Sequence, residues 1–245
     1  MLHYHGGPIT PLSVAHATWA GRHAFVSFER PEQIAFAAEN CQSFALDNGA
    51  FSVWRRGATL DVAGYVAFVK QWERHPGFDW ALIPDVIDGT EAENDAMFGH
   101  FHQAGGDLFR SVPVWHMHES LARLARLCRQ FPRVALGSSG EWATVGTASW
   151  WQRMGAAMDA ICDDSGRPPC KLHGLRMLNT DVFTRLPLAS ADSTNVAQNH
   201  VRERQTKGLT AAMGALSIVG RIESQQSAAR WTRTFSTELT LELVG

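Results

Sequence analysis

Cysteine and long hydrophobic runs are both scarce in this sequence of 245 residues. The chain has four cysteines, Cys41, Cys128, Cys162 and Cys170, which are too few and too irregularly spaced for the disulfide framework of a secreted domain. Its apolar stretches are shorter than the roughly 20 residues that a membrane-spanning helix needs. The opening residues, MLHYHGGP, lack the basic region and the apolar region of a secretory leader. These absences predict a cytoplasmic protein without a membrane segment.

The sequence also carries little charge of either sign. Charged residues make up 19% of the chain and the formal net charge is -2, so composition alone gives no indication of nucleic-acid binding. Hydrophobic residues make up 45%, a proportion typical of globular proteins. Because a chain of this length can bury one full core, we expect a single domain over residues 1–245.

No common zinc signature is present. Cys162, Cys170 and His173 could each ligate a metal, but their spacing matches none of the familiar zinc-binding patterns. A glycine-rich dinucleotide fingerprint is also missing after the first predicted strand. The sequence therefore predicts neither a metal ion nor a cofactor.

Short apolar segments with strand character alternate along the chain with segments of helical periodicity. In residues 62–72, for example, Tyr65, Val66 and Val69 fall on one helical face. This alternation predicts a parallel α/β sheet, and eight strands favour a closed (β/α)8 barrel of the TIM type over an open sheet. The predicted strands span residues 2–5, 23–28, 43–47, 80–85, 111–116, 133–137, 171–177 and 188–192.

The residues beyond the last predicted strand form a closing helix and a tail. We expect the helix to begin near Val196 and the region 193–245 to belong to the same domain as the barrel. Hydrophobic residues alternate near the end of the chain, at Phe235, Leu239, Leu241 and Leu243. This alternation predicts one further strand in the tail.

Three of the predicted strands end in an aspartate: Asp47, Asp85 and Asp192. Reactive groups of such barrels come from the C-terminal ends of the strands, so residues distant in sequence meet at one mouth. Two carboxylates that face each other across a cleft suit chemistry at a sugar C1′ carbon, because one can attack while the other handles the proton of the leaving group. The sequence thus predicts an active site at this mouth.

Five segments of the chain, read in order, resemble the tRNA-guanine transglycosylase superfamily, whose members exchange guanine for a 7-deazaguanine on a (β/α)8 barrel. One segment falls on each of five predicted strand ends. The matching segments are LDNGAF at 46–51, IPDVID at 83–88, ALGSSGEW at 135–142, KLHGLRM at 171–177 and ADST at 191–194.

The resemblance implies a role for each of the matching positions. Asp192 takes the place of the nucleophile, Asp47 that of the acid/base aspartate, and Asp85 that of the aspartate that holds the guanine edge. The loop Gly137, Ser138 and Ser139 corresponds to the loop whose amides bind the base carbonyl. The implied substrate-binding set also includes Asn48, Phe51, Trp115 and His173, of which Phe51 or Trp115 could stack on the base.

The chain departs from the family in several places, and these departures favour a DNA substrate. The zinc-binding cysteine segment that follows the nucleophile and helps to hold tRNA is missing. Trp115 stands where a base-contacting glutamine is expected, and His173 replaces a methionine that stacks on the base. The short chain looks closest to phage and bacterial proteins that place 7-deazaguanines, such as 7-cyano-7-deazaguanine, in DNA. A bacterial or phage-infected cytoplasm is the expected location.

Basic residues outside the predicted mouth are candidates for contacts with nucleic-acid phosphates. Arg55 and Arg56 follow Asp47 closely, and Arg202 and Arg204 lie in the predicted closing helix. A solvated helix face would have the same composition. An accessory protein or a second copy of the chain could extend the contact with nucleic acid.

Two other functions fit parts of the sequence. His3 and His5 form a His-X-His pair on the first predicted strand, as in metal-dependent amidohydrolases, and His116 with Asp192 could complete a metal site. Against this hypothesis, the sixth predicted strand ends in Gly137 and Ser138 and offers no histidine. The other alternative is a non-catalytic barrel that binds nucleic acid or a nucleoside and does not depend on Asp192.

Overall fold

The computed structural model describes residues 1–232, so the predicted tail strand with Phe235, Leu239, Leu241 and Leu243 lies outside the described residues. The described chain alternates strands and helices from its first residues. The strands are β1 Leu2–Gly6, β2 His23–Ser27, β3 Ser43–Asp47, β4 Phe78–Leu82, β5 Ser111–Val112, β6 Val114–His116, β7 Arg133–Gly137, β8 Lys171–Gly174 and β9 Ser190–Ser193. The α-helices are α1 Leu12–Trp19, α2 Ile34–Asn40, α3 Ala50–Arg55, α4 Val62–Trp72, α5 Glu91–Gln103, α6 Leu121–Gln130, α7 Ala148–Ile161, α8 Thr180–Phe183, α9 Asn195–Lys207 and α10 Ala211–Glu223.

The strands form one parallel sheet that curls into a nearly closed barrel. Their order is β5-β4-β3-β2-β1-β9-β8-β7-β6, and β5 and β6 are separated in the chain only by Pro113. They are therefore two halves of one predicted strand, the first paired with β4 and the second with β7. Proline has no N–H to donate to a sheet, which explains why the strand is divided at this residue. The prediction of a TIM-type α/β barrel is confirmed.

Two strands end earlier than the sequence predicts. β4 ends at Leu82, so Asp85 lies in the loop after the strand, beyond Pro84. β8 ends at Gly174, because the chain turns at Arg176, whose φ is 58°. In both cases the predicted site segment forms a loop at the mouth.

The segment after β3 forms the short helix α3. Gly49 precedes this helix with φ 79°, a left-handed conformation that favours glycine. The side-chain oxygen of Asn48 accepts a hydrogen bond from the backbone N–H of Ala50 at 2.8 Å. This hydrogen bond satisfies one of the free N–H groups at the start of α3, the helix that carries Phe51 at the mouth.

Two hydrophobic layers hold the barrel together. The interior layer includes Tyr4, Phe25, Trp80 and Val114, and the larger outer layer packs the sheet against the helices. Side chains alternate between the two faces of a strand, so neighbours in sequence enter different layers. Among the helices of residues 1–232, none has the length and apolar character needed to cross a membrane.

Candidate active site

A cavity of about 400 Å³ opens at the C-terminal mouth of the barrel. Asp47, Asp85 and Asp192 all line it. The other lining residues come from several strand ends and the loops that follow them. They are Gly6, Gly7, Phe25, Ser27, Arg30, Asn48, Phe51, Ser52, Leu82, Ile87, His116, Gly137, Ser138, Leu175, Arg176, Thr194 and Gln198.

Asp192 lies on β9 and is 5% exposed. Its Oδ1 accepts hydrogen bonds from Nε2 of His173 at 3.2 Å and from the backbone N–H of Arg176 at 3.0 Å. Nδ1 of His173 lies 2.9 Å from the hydroxyl of Ser190, which can donate to it. Burial lowers the pKa of His173, although Asp192 acts in the opposite direction. A neutral His173 that donates through Nε2 therefore fixes the orientation of the Asp192 carboxylate.

Asp85 is held by two side chains from neighbouring elements. Its Oδ1 accepts a hydrogen bond from Nδ2 of Asn48 at 2.7 Å, and its Oδ2 lies 2.8 Å from Nε2 of His116. Asn48 also donates to the backbone carbonyl of Ile83 at 2.9 Å, which ties the loop after β4 to the end of β3. These contacts fix both oxygens of the Asp85 carboxylate in the cavity lining.

A buried Glu119 links the loop that carries Asp85 to the end of β6, where His116 lies, and the loop after it. Its Oε2 accepts a hydrogen bond from the backbone N–H of His116 at 2.9 Å, and its Oε1 accepts one from Asn94 at 3.0 Å. The side-chain oxygen of Asn94 in turn accepts one from the backbone N–H of Val86 at 2.8 Å. The relative position of the two loops is thus fixed from behind the cavity.

Asp47 is the last residue of β3. Burial raises its pKa to about 7, the negative charges of Asp192 and Asp85 act in the same direction, and the Ser27 hydroxyl and the Gly49 amide oppose the shift. A carboxyl group with a pKa near neutral pH can both give and take a proton at that pH. This property suits the acid/base role that the sequence predicts for Asp47.

The raised pKa of Asp47 predicts a pH-dependent stability. Between its usual value of 3.8 and about 7, the folded protein binds this proton more tightly than the unfolded chain does. The free energy of unfolding should therefore fall as pH rises from 4 to 7 and level off above, by a few kcal/mol at most. Urea denaturation of the wild type and of Asp47→Asn at several pH values checks this, since the stability advantage of the variant should grow over that range. A pH-independent difference would contradict the assignment.

The loop after β7 contributes two of its three predicted residues to the cavity. Gly137 and Ser138 line the cavity, and the Ser138 hydroxyl accepts a hydrogen bond from Nε1 of Trp150 at 2.9 Å. A Cβ atom at Gly137 would lie 3.2 Å from Nδ1 of His116, so glycine lets that ring approach closely. Ser139 is buried and is not among the residues that line the cavity, and its hydroxyl lies 2.8 Å from Nδ1 of His118.

Two further residues predicted to bind the substrate, Trp115 and His173, do not line the cavity either. Trp115 is fully buried in the outer layer, where its Nε1 donates to the carbonyl of Ser120 at 3.1 Å. It alternates with His116, so only one of the two side chains can face the cavity. His173 lies beneath Asp192 in the barrel interior, with its ring centroid 4.7 Å from that of Trp80. Neither side chain lines the cavity where a base could stack.

The four arginines predicted to contact phosphates, Arg55, Arg56, Arg202 and Arg204, are exposed and lie outside the cavity lining. Two other arginines, Arg30 and Arg176, do line it. Neither arginine follows a strand-terminal aspartate directly, so the sequence pattern did not indicate them. Arg176 lies directly in a matching segment, which was the available signal.

The His-X-His pair does not face the mouth, so His3 and His5 do not form the metal site with His116 and Asp192 that the amidohydrolase hypothesis requires. His3 packs edge-on against Phe183 with ring centroids 5.5 Å apart, and Nε2 of His5 lies 3.1 Å from Glu223 of α10. Both histidines therefore point outward, while Tyr4 between them points into the barrel. Within residues 1–232, no group of three or more histidine, cysteine, aspartate or glutamate side chains is arranged to hold a metal ion.

Comparisons with known proteins do not add to this geometry. No protein-family model, no curated protein and no solved structure gave a significant match to the chain.

Proposed function

We propose that this protein is a base-exchange glycosyltransferase that replaces guanine in nucleic acid, with DNA favoured, by a 7-deazaguanine. The observation that carries the proposal is the meeting of Asp47, Asp85 and Asp192 in one cavity, each in a different environment. Asp192 is fixed by two hydrogen-bond donors, Asp85 is bound by a histidine and an asparagine, and Asp47 has a pKa near 7. The three environments match the nucleophile, base-recognition and acid/base roles that the resemblance implies.

The reaction would proceed by two displacements at C1′. An oxygen of Asp192 attacks C1′, the bond from C1′ to the guanine nitrogen breaks, and Asp47 donates a proton to the departing base. The incoming deazaguanine then loses its ring N–H proton to Asp47 and attacks C1′, which releases the Asp192 carboxylate. Two inversions give net retention, and Asp47 returns to its starting protonation state.

Base recognition would fall to Asp85 and the loop after β7. A carboxylate can accept the two N–H groups on the edge of guanine, and the same edge is present in a 7-deazaguanine. Gly137 and Ser138 also line the cavity, where a backbone amide could meet the base carbonyl. Exposed Phe51 at the rim offers an aromatic face for stacking.

The cavity is suited to an unstacked nucleotide. Its volume of about 400 Å³ lies in the range typical of small-molecule sites. The C1′ carbon of a stacked base in a duplex is shielded from attack, so the target must be flipped out or single-stranded. The resemblance favours DNA over tRNA as the acceptor, and the mechanism requires no metal or cofactor.

Guanine exchange tests the proposal directly. Purified protein is incubated with radiolabelled guanine and either single-stranded DNA or tRNA, and the label in the polymer is counted. We expect incorporation into DNA, and we expect 7-cyano-7-deazaguanine to compete with the label. Mass analysis of nucleosides from cells with and without the protein, supplied with deazaguanine precursors, identifies the product. Nucleic-acid binding without any exchange would instead favour the non-catalytic barrel.

A further inference from the structure

Arg176 has an unusual backbone conformation at the rim of the cavity. Within residues 1–232 it is the one residue other than glycine with a positive φ, at 58°. Residues that carry a side chain rarely adopt a positive φ, and such outliers cluster where a structure holds a functional group in place. The conformation lets the backbone N–H of Arg176 donate to Asp192 at 3.0 Å.

The side chain of Arg176 crosses the rim from one loop to another. Its Nη2 donates to the backbone carbonyl of Ser138 at 3.1 Å, and its guanidinium carbon lies 4.3 Å from the ring centroid of Phe51. Guanidinium groups have five N–H donors, so donors remain for a ligand. The residue is nevertheless exposed to solvent.

The charge of Arg176 is not matched by an acidic side chain. Arg30, the other arginine of the cavity lining, pairs with Glu32 at 2.8 Å. Among the described residues, no carboxylate forms a salt bridge with Arg176; its polar partner there is a neutral carbonyl. A guanidinium with free donors at the rim of a cavity is suited to a phosphate, which its planar fork can bind through two hydrogen bonds.

We infer that Arg176 binds a backbone phosphate next to the target nucleoside of the nucleic-acid strand. This inference rests on the proposed function. If C1′ of the target lies at Asp192, the phosphates of the same nucleotide lie a few bonds away, toward the rim. Arg176 is bound to Asp192 through its own backbone N–H, which places its side chain at that rim.

The test measures the binding of a single-stranded DNA oligonucleotide over a range of salt concentrations. Asparagine tolerates a positive φ better than most residues, so Arg176→Asn removes the guanidinium at small cost to the fold. We expect about tenfold weaker binding at low salt. The slope of log K against log salt should fall by about 0.7, the value for one phosphate contact on a single strand. Arg176→Lys retains the charge and should keep most of the slope.

Arg129→Gln is the matched control, since Arg129 is exposed near the C-terminal end of α6 and outside the cavity lining. It should leave both affinity and slope unchanged. An unchanged slope in Arg176→Asn, an equal loss in Arg129→Gln, or no oligonucleotide binding by the wild type would each overturn the inference. Guanine exchange is measured separately: exchange by the wild type with an unchanged slope in Arg176→Asn refutes the phosphate contact alone. Loss of kcat at saturating DNA, without a change in KM or slope, would show that Arg176 only positions Asp192.

Discussion

Asp192→Asn is expected to reduce guanine exchange by at least about 10⁴-fold, because the substitution replaces the carboxylate nucleophile of the first displacement with a weakly nucleophilic amide. The fold should survive the change. An asparagine oxygen can still accept the hydrogen bonds that Asp192 now accepts from His173 and from the N–H of Arg176. Incorporation of labelled guanine into single-stranded DNA measures the activity, and thermal denaturation checks that the variant is folded.

Trapping makes this prediction specific to the nucleophile. Wild-type protein quenched during turnover should carry a mass adduct of protein and DNA, and Asp192→Asn should carry none. Asp88→Asn is the matched control, because Asp88 is an exposed acid on the loop after Asp85 and does not line the cavity; it should retain both exchange and adduct. An adduct that persists in Asp192→Asn would assign the nucleophile elsewhere, with Asp47 the next candidate.

Asp47→Asn is expected to slow exchange by about 10²- to 10⁴-fold, the usual cost of losing a general acid or base. Asp192 remains in this variant, so some glycosyl-enzyme should still form. The protein–DNA adduct therefore distinguishes the two roles. Asp192→Asn should form no adduct, and Asp47→Asn should form the adduct slowly.

A substrate with a better leaving group sharpens the test of Asp47. When 7-methylguanine is the target base, it departs without needing a proton, so formation of the adduct should be much less impaired in Asp47→Asn than it is with guanine. In Asp88→Asn, the ratio of the rates of adduct formation with the two bases should equal that of the wild type. Equal impairment with both bases would show that Asp47 does not protonate the leaving group.

The positions of Asp47 and Asp192 could be predicted from the sequence because each closes a short apolar run. Parallel strands place their C-terminal ends at the same side of a barrel, so residues that end strands must meet wherever they stand in the chain. The confirmed barrel and the shared cavity of the three aspartates follow from that local pattern. The position of Phe51 at the cavity could also be predicted from the sequence, since Phe51 follows the turn at Asn48 and Gly49.

Trp115 and His173 show where the sequence pattern was insufficient to place a side chain. Side chains alternate between the two faces of a strand, so either Trp115 or His116 faces the cavity. Which of them does so depends on the register of the strand, which Pro113 interrupts, because a shift of one residue moves every side chain to the other face. His173 points inward as expected, but its depth below Asp192 depends on the packing of Tyr4, Phe25 and Trp80 around it.

The sequence by itself determined the strand and helix alternation, the barrel and the side of the barrel on which the aspartates lie, because these depend on local hydrophobic periodicity and on parallel chain direction. Only the tertiary structure decided the environment of each aspartate. Burial and the charges of Asp192 and Asp85 raise the pKa of Asp47 to about 7, and the turn at Arg176 places both an amide and a guanidinium at the rim. These properties arise from groups far apart in the chain, since desolvation and Coulomb interactions depend on distance in space.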